Sequence, residues 1–287
     1  MRTMKRGEAH HPRGEPGVGA HALVLLVTVT LASSLGCGPM EEDPGQEEPG
    51  SQQQAYTATN GLAMNGLAMN GLAMNGLAMK GLSSAPFAQW FQRDPALADM
   101  VMTYLVRCAL PASQSRTYKN PRTGRVYTWA GSLGLAPGWA NGSAASVTEQ
   151  RVISACLAAH ANRFGLHVPI SVLGRGATGA AIPFTHTELK TYAVTEACFF
   201  GNLFTREGVF LGVDVETLDA SNTTARACQD GNCAPLVLMG TCRQYCTKDS
   251  AGPFYKGCSY KGVSYPPITT RLRQEDYSLL VEKYRLR

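Results

Sequence analysis

Two stretches of the chain place apolar side chains at helical spacing. After Asp94-Pro95, a capping acid with proline at the first helical position, Leu97, Val101, Tyr104, Leu105 and Cys108 fall on one face, and Pro111 ends the run. The second helix starts from the capping box Ser146-Val147-Thr148-Glu149 and is expected to run to Gly165. Its stripe of Ile153, Leu157, His160 and Phe164 is widened by Val152, Cys156 and Ala159, so a broad face should be buried. Alternation of period two marks Ser115 to Tyr118 and Arg125 to Trp129, which flank Asn120-Pro121-Arg122-Thr123-Gly124 and predict a hairpin. A second hairpin is expected over Cys258 to Tyr265, turning at Lys261-Gly262. Val168 to Leu173 and Leu236 to Met239 read as short strands, and Thr187 to Phe200 as a helix. Helices and strands that do not alternate regularly indicate an α+β domain, not a doubly wound α/β one.

The first 84 residues follow another pattern. Arg2, Lys5, Arg6 and Arg13 precede an apolar run from Ala22 to Ala32, the arrangement of an export signal. The run has eleven residues, against roughly 20 needed to cross a bilayer, so no transmembrane helix is expected. Residues 38–59 hold Glu41, Glu42, Asp43, Glu47 and Glu48 with a Gln-rich stretch and read as a solvated acidic tether. Asn-Gly-Leu-Ala-Met then occurs four times from Asn60 to Met79, and a decayed copy follows as Lys80-Gly81-Leu82-Ser83-Ser84. A period of five fits neither helix nor strand, and four copies give a stacked solenoid too few neighbours to bury a core. The repeat therefore reads as a flexible spacer, with a self-associating or partner-binding stripe as the alternative. As random coil, Cys37 to Ser84 would span about 40 Å.

Leu35-Gly36-Cys37 after this apolar run resembles the lipobox of bacterial lipoproteins. Ser34 stands where that family usually has Leu. The resemblance covers only the leader and implies acylation of Cys37, which becomes the new N-terminus and attaches the chain to membrane. In that family Asp after the cysteine favours inner-membrane retention. Gly38 stands here, which implies the outer membrane. The order of parts is also similar to secreted lipoproteins in which short Asn-Gly-Leu repeats precede a Cys-rich domain, a similarity that implies no activity. The expected parts are thus a signal peptide (1–36), an acidic tether (37–59), a repeat spacer (60–84) and a Cys-rich α+β domain (85–287).

Charge divides the chain at the same place. Residues 85–287 carry 21 basic and 14 acidic side chains, whereas residues 37–84 carry one and five. Such a surplus either keeps the domain soluble or draws it toward anionic partners, of which an acidic polysaccharide or envelope component fits an exported protein. Cations are not clustered as in a nucleic-acid reader, and nucleic acid is set aside.

Without Cys37, eight cysteines remain: Cys108, Cys156, Cys198, Cys228, Cys233, Cys242, Cys246 and Cys258. An even number in an oxidising compartment predicts four disulfides, with the pairing left open. Cys242-x3-Cys246 has zinc-ligand spacing but lacks a convincing second pair, so no metal is expected.

Catalytic signals are weak. Gly174-Arg175-Gly176-Ala177-Thr178-Gly179 matches a dinucleotide pattern, but Pro183 precludes the long helix that would hold a pyrophosphate. It reads as a mobile loop, and no cofactor is expected. Ala130-Gly131-Ser132-Leu133-Gly134 lacks the first glycine of a serine-hydrolase elbow. Cys156 and His160 stand one helical turn apart, where an imidazole could activate a thiol, provided that Cys156 is free. Glu188, Glu196, Asp214, Glu216 and Asp219 are available acids, and Tyr118, Tyr127, Trp129 and Trp139 are either core or a stacking platform. The expectation is a lipid-anchored binding or structural module. The alternative is an envelope hydrolase using His160, His167 or His186 with one of these acids.

Overall fold

The computed structural model describes residues 57–60, 62–63, 81–162, 168–205, 207–214, 226–227 and 233–285. In chain order the first elements are β1 (Thr57–Asn60), β2 (Leu62–Ala63), α1 (Ala85–Arg93), α2 (Pro95–Ala109), β3 (Ser115–Lys119), β4 (Val126–Ala130), α3 (Pro137–Ala140), α4 (Val147–His160) and β5 (Ala161–Asn162). They are followed by β6 (Val168–Gly174), α5 (His186–Thr191), β7 (Val194–Asn202), β8 (Gly208–Val213), β9 (Val237–Thr241) and α6 (Cys242–Tyr245). The last are β10 (Cys246–Lys248), β11 (Tyr255–Tyr260), β12 (Val263–Tyr265), β13 (Ile268–Leu272) and α7 (Gln274–Arg285). The fold is α+β. Among the described residues no helix is long and apolar enough to cross a membrane.

A six-stranded sheet of order β1-β6-β13-β7-β8-β9 forms the centre, antiparallel except for the parallel pair β8–β9. Strand alternation sends Ala197, Phe199, Val209, Leu211, Ile268 and Leu272 to one face, against α4 and the helical layer. Cys198, Phe200 and Phe210 point to the other face, where the three-stranded sheet β10-β11-β12 covers them with Tyr255, Cys258 and Tyr265.

The helices start where side chains satisfy free amides. Ser84 Oγ accepts from Phe87 N at 3.3 Å, Asp94 Oδ1 accepts from Leu97 N at 3.0 Å, and Ser146 and Glu149 form both halves of a capping box. Glu149 also accepts from Gly138 N at 2.6 Å, fixing α3 against the start of α4. The expected β3–β4 hairpin forms, with Tyr118 opposite Tyr127. The turn of β11–β12 uses positive φ at both Lys261 (48°) and Gly262 (78°).

Two elements differ from the sequence reading. Thr187 to Phe200 is not one helix: α5 stops at Thr191 and Val194–Asn202 is a central strand. A run of β-branched and aromatic residues buried on both faces favours the sheet interior over a helix. Helix α4 ends at His160, ahead of Gly165, because the chain extends at Ala161–Asn162 to pair in parallel with Leu62–Ala63. Gly165 lies outside the described residues.

The segment expected as tether and spacer contributes three short pieces to the fold. Thr57–Asn60 pairs antiparallel with Val168–Ser171, Leu62–Ala63 pairs with Ala161–Asn162, and Gly81–Ser83 of the decayed repeat forms a 3-10 turn with Leu82 buried. Residues 64–80, which hold the remaining repeat copies, lie outside the described residues, as does the leader with Cys37.

Candidate functional site

The disulfides connect elements that lie against one another. Cys108–Cys156 joins α2 to α4, Cys198–Cys242 joins β7 to α6, and Cys246–Cys258 spans the paired strands β10 and β11. Cys233 is also disulfide-bonded, whereas Cys228 lies outside the described residues. Among the described residues, two groups of side chains have metal-ligating types in reach of one another, Cys108/Cys156/His160 and Cys198/Cys246/Cys258. All their sulfurs are bridged, so neither group offers the thiolates a metal would need.

Cys156 is therefore no free nucleophile, and the Cys–His enzyme reading falls. His160 is fully buried beside the bridge, its Nδ1 3.8 Å from Cys156 Sγ and 4.0 Å from Cys108 Sγ, donating to Cys156 O at 2.8 Å. Burial pushes its pKa down to about 4, assisted by the positive charges of Arg107 and Arg226 and opposed by the bond to Cys156 O. It is a neutral core residue near pH 7.

Next to it lies a polar network that the sequence did not signal. Arg226 and Glu196, 0% and 1% exposed, pair at 2.6 Å. Thr270 Oγ1 donates to the same carboxylate at 2.8 Å, and Arg226 Nη1 donates to Ala159 O at 2.6 Å and Ala161 O at 3.0 Å. The guanidinium thus satisfies carbonyls at the end of α4, which is what lets the helix stop at His160. Glu196 is committed to this scaffold.

The other candidates are dispersed. Glu188 closes the capping box of α5, where burial raises its pKa; Ser171 faces it, and its Oε1 is buried without a well-formed hydrogen bond. His186 is exposed at the start of α5, while His167, Glu216 and Asp219 lie outside the described residues. Tyr118, Tyr127, Trp129 and Trp139 are core and not a platform: Phe91 meets both tyrosine rings at 4.8 Å, and Trp129 Nε1 donates to Asp99 at 2.7 Å. The glycine-rich stretch after β6 folds back on itself through Ile182 N to Gly174 O and Gly176 N to Ala180 O, and opens no helix. Its Arg175 pairs with Asp249 at 2.6 Å and holds that carboxyl at about 2.

A group of charged side chains gathers at the surface around Asp214. Asp214 follows β8 with its side chain only 4% exposed and accepts from Tyr255 Oη at 2.7 Å. Arg243 Nε stands 3.9 Å and Lys248 Nζ 3.8 Å from the same carboxylate, with side chains 71% and 53% exposed. Burial, then the bond to Asp214, raises the Tyr255 pKa, so the phenol keeps its proton and donates it. Arg271 adds a further positive charge close enough to interact with Asp214, while its nitrogens donate to neutral oxygens of Tyr192, Thr195 and Ala193 at 2.7–2.8 Å. Three cations thus act on one carboxylate.

Comparison with protein-family models, curated proteins and solved structures finds no match for this chain.

Proposed function

We propose that the chain is an exported lipoprotein, anchored through acylated Cys37 at the cell envelope and on the outer membrane, whose Cys-rich domain is a binding module. The observation that carries this reading is that all seven cysteines among the described residues are disulfide-bonded. Bridges at this density persist in an oxidising compartment, which agrees with the basic and apolar leader ahead of Leu35-Gly36-Cys37. Binding is favoured over hydrolysis because His160 and Glu196 are committed to buried structural contacts and Asp214 is held by Tyr255 among cations.

The test is the intact mass of the protein recovered from membranes of cells that export it, with thiol alkylation before and after reduction. The expected result is an acylated N-terminal Cys37, no alkylation without reductant, and eight alkylated cysteines after it. An unmodified Cys37 would remove the anchor, and free thiols in the native protein would remove the exported, fully bridged state.

A further inference from the structure

The small sheet and its surroundings hold a charge excess that the fold does not neutralise. Between Cys242 and Tyr265 the chain has Arg243, Lys248, Lys256 and Lys261 against a single acid, Asp249, which Arg175 already engages. All four cations are exposed. Asp214 gathers Arg243 and Lys248 without cancelling them, and Arg271 adds its charge from β13. We propose that this surface, centred on Arg243 and Lys248 and continued by Lys256 and Lys261, binds an anionic polysaccharide.

Three features select this partner. Arg243 and Lys248 meet at Asp214, while Lys256 on β11 and Lys261 at its turn extend the charge beyond that point, which suits a polymer with repeating charge better than a single small anion. Tyr245 and Tyr260, partly buried and edge-to-face at 6.2 Å, lie among them and offer ring faces to sugars, and Lys261 Nζ stands 5.2 Å from the Tyr260 ring. Finally, the chain from Cys37 enters the main sheet through β1 at one edge, whereas Asp214 follows β8, four strands away, or about 19 Å at the usual strand spacing. Asp214, the centre of the charged surface, is thus set apart from the strand through which the anchor segment joins the fold, which favours a polymer over the anchoring lipid surface.

The inference rests on the reading of an exported binding module, and its test is separate. Full-length protein carrying Cys37→Ser, with its bridges intact, is titrated with alginate, dextran sulfate and neutral dextran, and with phosphatidylglycerol–phosphatidylcholine vesicles. Binding to the two acidic polymers, weakened by salt, is expected. Removing two charges with Arg243→Ser and Lys248→Ser should weaken it about thirtyfold, by the scale of cation attraction to an anionic surface. Lys119→Ser with Lys190→Ser, which removes exposed cations elsewhere, should leave binding within about threefold, and the charge-keeping exchange Arg243→Lys with Lys248→Arg should retain it. Should the first double variant lose a bridge, Lys248→Ser alone replaces it, with a loss of about fivefold. Equal losses in both double variants, no polymer binding, or preference for the vesicles would overturn the inference. The mass of the native membrane form reports the anchor independently, so a lipidated chain that binds no polymer sinks this site alone.

Discussion

The two faces of the six-stranded sheet are closed by different means. On the helical face, Phe91, Trp129, Leu105, Phe199 and their neighbours bury a continuous apolar layer, with the Cys108–Cys156 bridge, the disulfide-bonded Cys233 and the Arg226–Glu196 pair inside it. On the opposite face the covering strands have only three, six and three residues, and α6 has four. Elements that short cannot exclude enough water to hold themselves in place, and here two disulfides meet, with Cys198 Sγ 3.7 Å from Cys246 Sγ. Both faces carry bridges, but the helical face rests chiefly on buried area and the small sheet chiefly on covalent bonds, so the two should fail under different insults.

The sharpest test of the helical face is Glu196→Gln, which leaves Arg226 buried with its charge uncompensated. A loss of about 3–5 kcal/mol is expected in chemical unfolding, and exchanging both residues for Leu and Met should recover much of it. Removing the Cys246–Cys258 bridge by a double Cys→Ala exchange should cost about 2–4 kcal/mol. In limited proteolysis of the reduced wild type, cleavage is expected within residues 242–265 before any within 85–160. The opposite order would mean that the small sheet does not depend on its bridges.

A pH titration separates the faces without altering bridges. His160 stays neutral in the folded chain down to about pH 4 but protonates near 6.5 when unfolded, so the unfolded state takes up protons first as pH falls. Stability should decline from about pH 6.5 toward 4, by about 2 kcal/mol between pH 7 and pH 5, and this part of the slope should vanish in His160→Gln. A variant with an unchanged slope would place the acid sensitivity elsewhere. The smallest effect expected is about 1 kcal/mol for Ser146→Ala, which removes one half of the α4 capping box and is read from thermal unfolding.

What could be read in advance was what depends on neighbours along the chain. Ser146 and Glu149 announce their helix because a capping box is a local device, and the two hairpins follow from turn residues between alternating runs. Helix α1 was also within reach, since Ser84 precedes Phe87, Trp90 and Phe91 at helical spacing. Val194 to Phe200 was misread because a short apolar run carries no period once both faces are buried. Arg226 gave no local sign: its partners come from β7, β13 and the end of α4, and only the folded chain brings them together. The same holds for the cations around Asp214, which stand 29 to 57 positions from it along the chain. That bridges would form was legible from cysteine number, but which cysteines pair was not.

Strand β1 has a mechanical consequence. It enters the described fold ahead of every other element, and its four residues are tied side by side to β6 at the rim of the sheet. Under the proposed anchorage at Cys37, tension between membrane and a captured polymer would load this short ladder first, and its four paired positions would act as the weak link. The bridged elements carrying the cations cover the sheet over β7 and β8 and would lie at the other end of the force path, where Cys198–Cys242 and Cys246–Cys258 resist extension covalently. A pulled molecule would then peel from its tethered end while its grip stayed folded.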